Sequence, residues 1–233
     1  MARQLAGDID SARVCARLEE VEERVARACD RAGRRRDEVE LLAATKYVAL
    51  ESMGALAEAG IRLVGENTAQ ALEAKRNRWG DLFTYDFIGH LQSRKTKHVL
   101  PLVRLIHSVE SESVLAQIER HAKGPTRVLL EVNIAGEGSK YGVSPNEVDR
   151  FLEKASGFGR VTFAGLMTVP PYTTVPEDAR PHFAALRELV ARLRAEWAPR
   201  HALSVLSMGT SQDFEVAVEE GATICRLGSV LYA

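Results

Sequence analysis

Val39-Glu40-Leu41-Leu42-Ala43-Ala44-Thr45-Lys46 is an apolar run that closes on an amine. It reads as a strand whose last residue is a lysine. Similar runs recur downstream at Ile61–Val64, Tyr85–Ile88, Leu102–His107, Arg127–Asn133, Val161–Leu166, Leu203–Leu206 and Thr223–Leu227. Helix-like stretches separate them: Leu50–Ala59, Ala69–Arg78, Ser111–Ala122, Asn146–Ala155, Pro181–Trp197 and Phe214–Glu220. The segment from Gln92 to Leu100 has a weaker helical pattern. Strands interleaved with helices predict parallel βαβ units. Eight of them predict an α/β fold, a single-domain (β/α)8 TIM barrel. An open doubly wound sheet shares the alternation and is the alternative.

Before the first strand, Val14, Leu18, Val21 and Val25 recur three and four residues apart. That spacing predicts an amphipathic helix from about Ile9 to Ala32, with Gly33 as its C-cap. The chain stops at Ala233, straight after the eighth strand. The N-terminal segment, residues 1–33, is therefore expected to pack on the barrel and fill the place of the missing last helix. One domain then covers residues 1–233. Val169 to Pro181 is the longest irregular stretch and follows a strand end, so it is expected to be a lid or rim loop.

The chain has 233 residues with a net charge of -1, so no global field draws it to nucleic acid or an anionic membrane. Arg34-Arg35-Arg36 is followed by Asp37 and Glu38 and reads as a solvated loop. Cys15, Cys29 and Cys225 form no close pair, against a disulfide framework or a zinc site. The opening residues lack the apolar core of a signal peptide, and no stretch has the length of a membrane span. A reducing cytoplasm is the expected location.

The carboxyl ends of barrel strands share one face, where active sites collect. Leu42, Ala44 and Lys46 alternate onto one side of the first strand. A lysine in the barrel mouth would be partly desolvated, and its free amine could attack a carbonyl. A lysine reaching water is the plain alternative. Late in the chain, Ser207-Met208-Gly209-Thr210-Ser211 and Arg226-Leu227-Gly228-Ser229 follow strands seven and eight, the recurrent phosphate site of this fold. Gly209 and Gly228 would let amides approach an anion, Ser211 could cap the following helix, and Ser229 adds a hydroxyl. Two ordinary turns are the alternative. Arg226 alternates with Ile224 and Ala222, and a buried arginine must find an acceptor. That acceptor is either a carboxylate such as Glu131 or the ring nitrogen of a pyridine cofactor. Asn67 could bond a cofactor hydroxyl or cap a helix. His90 could line the pocket or bond a carbonyl.

Together these residues resemble a known family. The stretches are Ala43-Ala44-Thr45-Lys46, Gly65-Glu66-Asn67, Phe87-Ile88-Gly89-His90-Leu91-Gln92-Ser93, and Val132-Asn133 with Glu137, Lys140 and Gly142. They continue with Gly165-Leu166-Met167, Leu206-Ser207-Met208-Gly209 with Ser211 and Asp213, and Arg226-Leu227-Gly228. In this order they are similar to the pyridoxal phosphate homeostasis proteins. The resemblance implies a barrel like that of fold-type III pyridoxal 5'-phosphate (PLP) enzymes, with PLP as an internal aldimine on Lys46. It implies that Ser207, Met208, Gly209, Ser211, Gly228 and Ser229 surround the phosphate, with Arg226 at the ring nitrogen and Asn67 nearby. It also implies a carrier that delivers PLP to apoenzymes without robust catalysis; the lack of the extra C-terminal β-domain of alanine racemases points to a monomer. The alternatives are an amino-acid racemase of related fold, which needs a second acid/base opposite the lysine, and an aldolase-like barrel with no cofactor.

Overall fold

The apolar run around Leu42 forms β1, Glu40–Ala44. Seven more strands follow in the computed structural model, which describes residues 9–138, 141–198 and 200–232. They are β2 (Leu63–Glu66), β3 (Thr84–Phe87), β4 (Leu105–Val109), β5 (Thr126–Glu131), β6 (Val161–Met167), β7 (Val205–Thr210) and β8 (Ile224–Leu227). Each strand pairs in parallel with its sequence neighbours, and β8 returns to β1 through Leu41–Cys225 and Leu42–Arg226. That pairing closes a (β/α)8 barrel and removes the open-sheet alternative.

The helices are α1 (Ser11–Arg31), α2 (Met53–Glu58), α3 (Ala69–Trp79), α4 (Thr96–Val99), α5 (Glu112–His121), α6 (Val148–Ala155), α7 (Arg180–Trp197), α8 (Phe214–Glu219) and α9 (Ser229–Tyr232). The Asp10 carboxylate accepts from Ala12 N–H at 2.9 Å and starts α1. Gly33, at φ 63°, ends it in the left-handed conformation that a side chain disfavours. The α1 stripe Val14, Val21, Val25 and Ala28 is buried. It packs against α8 and the terminal turn α9, and Arg24 and Arg31 bond Glu215 and Glu219 of α8 at 2.9 and 2.6 Å. Arg34 and Arg36 are not free in a solvated loop. Arg34 donates to Val218 O at 2.6 Å and Arg36 to Glu22 at 2.7 Å, so both tie α1 to the barrel. The weak helical segment after Gln92 resolves into α4 flanked by tight turns at Ser93–Lys95 and Leu100–Leu102.

Strand residues divide by parity. Ala43, Val64, Tyr85, Phe87 and Ile106 face the helices in the outer core. Leu42, Leu105, Leu129, Ala164, Met167 and Ile224 form a second cluster that fills the lumen. Burying each such leucine stabilises the fold by about 1.5–3 kcal/mol. Towards the carboxyl ends of the strands the lumen turns polar, with Asp86, His107, Ser207 and Arg226 all buried. Among the described residues, no helix is long and apolar enough to cross a membrane.

Candidate functional site at the barrel mouth

Lys46 lies one residue beyond a clamped position. Thr45 N–H donates to Gly65 O at 3.0 Å, and Thr45 Oγ1 donates to Glu66 Oε1 at 2.5 Å. Lys75 reaches in from α3 and donates through Nζ to Thr45 O at 2.7 Å and Glu66 Oε1 at 2.6 Å. Both charges are buried, so the pair is fixed by short charge-assisted bonds. Sequence reading missed Lys75, because a lysine mid-helix carries no sign that it points inward. The strand ends at Ala44, and Val48 N–H bonds back to Thr45 O at 2.9 Å. Lys46 therefore sits in a turn, off the strand's alternation, and is exposed, with Nζ 5.2 Å from the Tyr47 ring centre. The expected partial desolvation of its amine is not supplied by the protein alone.

The two late loops are joined to each other and to the lysine strand. Ser211 Oγ accepts from Gly228 N–H at 2.9 Å and Val230 N–H at 3.3 Å. Ser211 thus caps the C-terminal turn, not α8 as expected. Asp213 stands at the start of α8 without capping it: its carboxylate turns back to accept from Thr210 N–H at 2.6 Å and Thr210 Oγ1 at 3.0 Å. A carboxylate already placed there disfavours a second anion, so the rim available to a phosphate is the turn from Gly228 onward. Ser229 is exposed on that rim. A Cβ on Gly228 would meet nothing closer than Ala44 O at 3.7 Å, so the rim abuts the end of β1 and stays open. Gly209 is different. Its φ is +89°, and a Cβ would lie 2.6 Å from Ala217 Cβ, so no side chain fits there. Met208 is fully buried in the outer core, which leaves only its backbone to face a ligand.

Arg226 is buried and does not pair with Glu131. Its Nη1 donates to Ser207 Oγ at 2.5 Å and its Nη2 to Thr168 O at 2.8 Å. Burial pulls the guanidinium below its ordinary pKa, while Asp213 and Glu131 oppose that shift. Behind it runs a buried relay. His107 Nδ1 lies 2.9 Å from Ser207 Oγ, and His107 Nε2 lies 3.1 Å from Asp86 Oδ2. Arg104 donates to Asp86 at 2.8 Å and to Glu40 at 2.9 Å. Asp86 is held below the usual carboxylate range by His107 and Arg104, against its own burial, and burial lowers the His107 pKa. An ionised Asp86 accepts the Nε2–H hydrogen bond, so Nδ1 accepts from Ser207, whose oxygen then accepts from Arg226. The serine, histidine and aspartate resemble a hydrolytic triad, but they are sealed inside the barrel and serve to aim Arg226.

Asn67 is exposed at the end of β2. Its capping alternative falls away, because Thr68 caps α3 by accepting from Ala71 N–H at 3.3 Å. A Cβ on Gly89 would lie 2.2 Å from Asn67 O, so the β2 and β3 ends approach only through glycine. His90 Nδ1 lies 3.0 Å from Glu110, and its ring stacks on Tyr141 at 4.0 Å. Glu131 ends β5 and is pushed up to about 7, chiefly by burial and then by Glu110. Just before the expected rim loop, Thr168 is buried and its Oγ1 donates to Val132 O at 2.8 Å, while Val169, Tyr172 and Val175 within the loop are exposed. Lys140 lies outside the described residues. Lys46, Asn67, Ser207, Ser211, Arg226, Gly228 and Ser229 thus gather at the carboxyl ends of adjacent strands, on one face of the barrel.

The fold and this mouth define a class. The family model described as alanine racemase, N-terminal domain, matches residues 17–233. A pyridoxal phosphate homeostasis protein of Aquifex aeolicus is 42% identical over 222 residues, covering 94% of this chain and 96% of that protein. A solved protein of unknown function from Bifidobacterium adolescentis superposes with a TM-score of 0.88 at 32% identity, covering 99% of both chains. PipY of Synechococcus elongatus PCC7942, solved with PLP bound, superposes with a TM-score of 0.80 at 28% identity, covering 94% of this chain and 100% of that one. The chain belongs to the pyridoxal phosphate homeostasis protein family.

Proposed function

We propose that this chain binds PLP, holds it covalently through Lys46 and releases it to PLP-dependent apoenzymes, acting as a cytoplasmic monomer and not as an enzyme of high turnover. One observation carries the reading: the Lys46 turn and the Gly228–Val230 rim meet on the same face, beside a buried guanidinium. The names of the relatives and the PLP in PipY support it. When bound, PLP supplies an electrophilic aldehyde and an anionic phosphate.

The residues present fit such a group. The exposed amine of Lys46 is a nucleophile within reach of solvent amines, so attachment stays reversible. Ser229, Gly228 and the Ser211 hydroxyl form the rim that takes the phosphate, with Ser207 and Gly209 shaping its floor and the Met208 backbone between them. Asn67 borders the ring. Arg226 has no neighbouring carboxylate in contact and stays protonated, so it donates to a ring nitrogen without giving it a proton. An unprotonated ring is a poor electron sink, which suits a carrier better than carbanion chemistry.

The racemase reading needs a phenol or other group across from the lysine. Tyr85 is withdrawn, since its hydroxyl donates to Lys75 O at 3.1 Å behind the barrel. Tyr47, Tyr141 and Tyr172 remain exposed near the mouth. An absorbance spectrum with added PLP tests the proposal. Wild type is expected to develop a band that borohydride bleaches, with the label on Lys46. The Lys46→Ala variant is expected to lose the band and retain weak PLP binding. A band that survives in that variant refutes the role of Lys46, and amino-acid racemisation at ordinary enzymatic rates, above about 1 per second, refutes the carrier.

A further inference from the structure

Beside Asn67, between the start of α3 and the segment after β3, lies a second cleft of about 630 Å³. That is within the usual size of small-molecule sites, roughly 300–1,000 Å³. Arg94, Lys95 and Lys97 line it with Gln70 and His90, and no carboxylate does. Among the described residues Arg94 bonds only Gln92, at 3.2 Å. Arg180, by contrast, is closely neutralised by Glu177, Glu219 and Glu220. The cleft's three cations have no such partner among the described residues. The opposite wall is the amino end of α3, eleven residues long, whose Ala69 and Gln70 amides precede any intrahelical acceptor. Unpaired side-chain cations and free helix amides therefore converge on one concave space.

We propose that this cleft is a second anion site, for a small phosphate ester, away from the Lys46 turn and the Gly228 rim and sharing only Asn67 with the residues that would hold PLP. Concavity and size favour a small molecule over a flat acidic protein surface. Arg94 supplies a planar fork matched to phosphate, and Lys95 and Lys97 supply point charges. Nucleotides and phosphorylated vitamins share this chemistry. The cleft does not depend on Lys46, so it stands or falls apart from the carrier reading.

The test is amide NMR of the full chain carrying PLP, titrated with adenosine 5'-monophosphate or pyridoxine 5'-phosphate, with adenosine and pyridoxine as controls. Neither ester has an aldehyde to react with Lys46. The expected result is saturable shifts at Thr68, Ala69, Gln70, Arg94 and Lys95 with an ester and none with its control. Binding by the adenosine ester alone assigns a nucleotide source, by the pyridoxine ester alone a vitamin source, and by both a general phosphate-ester site. Arg94→Glu with Lys97→Glu should weaken binding by about tenfold or more, and Arg94→Gln with Lys97→Gln by less. Circular dichroism checks that both variants fold. Shifts confined to Gly209, Ser211 and Gly228, or affinities unchanged in both variants, overturn the proposal. Cleft shifts without rim shifts leave it standing.

Discussion

Ser211 Oγ accepts the Gly228 N–H at 2.9 Å, and through that bond the loop after β7 fixes the turn after β8. The hydroxyl also takes the Val230 N–H, so one side chain organises two amides of the rim. Ser211→Ala removes both acceptor contacts. Each is worth about 0.5–1.5 kcal/mol, so affinity for PLP should fall by roughly tenfold. Lys46 should still react, because its own turn is held by Thr45. Titration of cofactor-free protein with PLP, read at the Lys46-dependent absorbance band, measures this. Unchanged affinity would show that the rim is set without Ser211.

Gly209→Ala should be costly to folding. Its φ of +89° and the 2.6 Å approach to Ala217 Cβ leave no room for a methyl group. Strain plus overpacking places the loss at about 2–4 kcal/mol. Urea denaturation of the cofactor-free protein checks it. A Gly228→Ala control should cost much less, since the nearest atom there is 3.7 Å away.

These two glycines show what the sequence alone carried and what it did not. Eight apolar runs, each bounded by polar or glycine-bearing turns, made the barrel legible, because hydrophobic periodicity is a local signal. Lys46, Arg226 and the two glycine loops stood out because each lies in or just beyond a recognisable strand, although Lys46 falls two residues past the end of β1, in a turn. Ser211 was expected to cap the following helix and instead accepts from Gly228 and Val230, since whether it turns to α8 or to Gly228 depends on the closing of β8 onto β1. Lys75, Asp86 and Arg104 were missed for the same reason. Their partners lie 30, 21 and 64 positions away along the chain, in Thr45, His107 and Glu40. No local pattern marks a buried charge whose partner comes from another strand.

Lys75 gives the sharpest stability test. Lys75→Met would leave Glu66 buried without its cation, and breaking a buried pair costs about 3–5 kcal/mol. It would also free the backbone beside Lys46. Thermal and urea unfolding should show the loss. Adding Glu66→Gln should recover much of it, because the orphaned charge is then gone. A double variant no more stable than Lys75→Met would mean that the bond to Thr45 O, not the ion pair, is what holds this strand end.

Glu131 predicts an unusual pH dependence. Its carboxyl is pushed up from 4.5 to about 7 in the folded protein, by burial first and by Glu110 second, with Arg226 opposing. Between those values the folded state keeps a proton that the unfolded state has lost. Stability from this group therefore falls as pH rises from 4.5 to about 7, and is constant above. Glu131→Gln removes that dependence. Measured against wild type without PLP, the variant should show little relative gain near pH 4.5 and about 1–3 kcal/mol more stability at pH 8, allowing for residual solvent at the site. His107 and His201 act in the opposite sense. Burial lowers both from 6.5, so each costs stability as pH falls below that value. Both remain in the variant, and the difference between the two proteins cancels them. Urea midpoints at pH 5, 6, 7 and 8 decide the matter. A difference that stays flat across that range would mean that Glu131 is ionised throughout, with Arg226 outweighing burial.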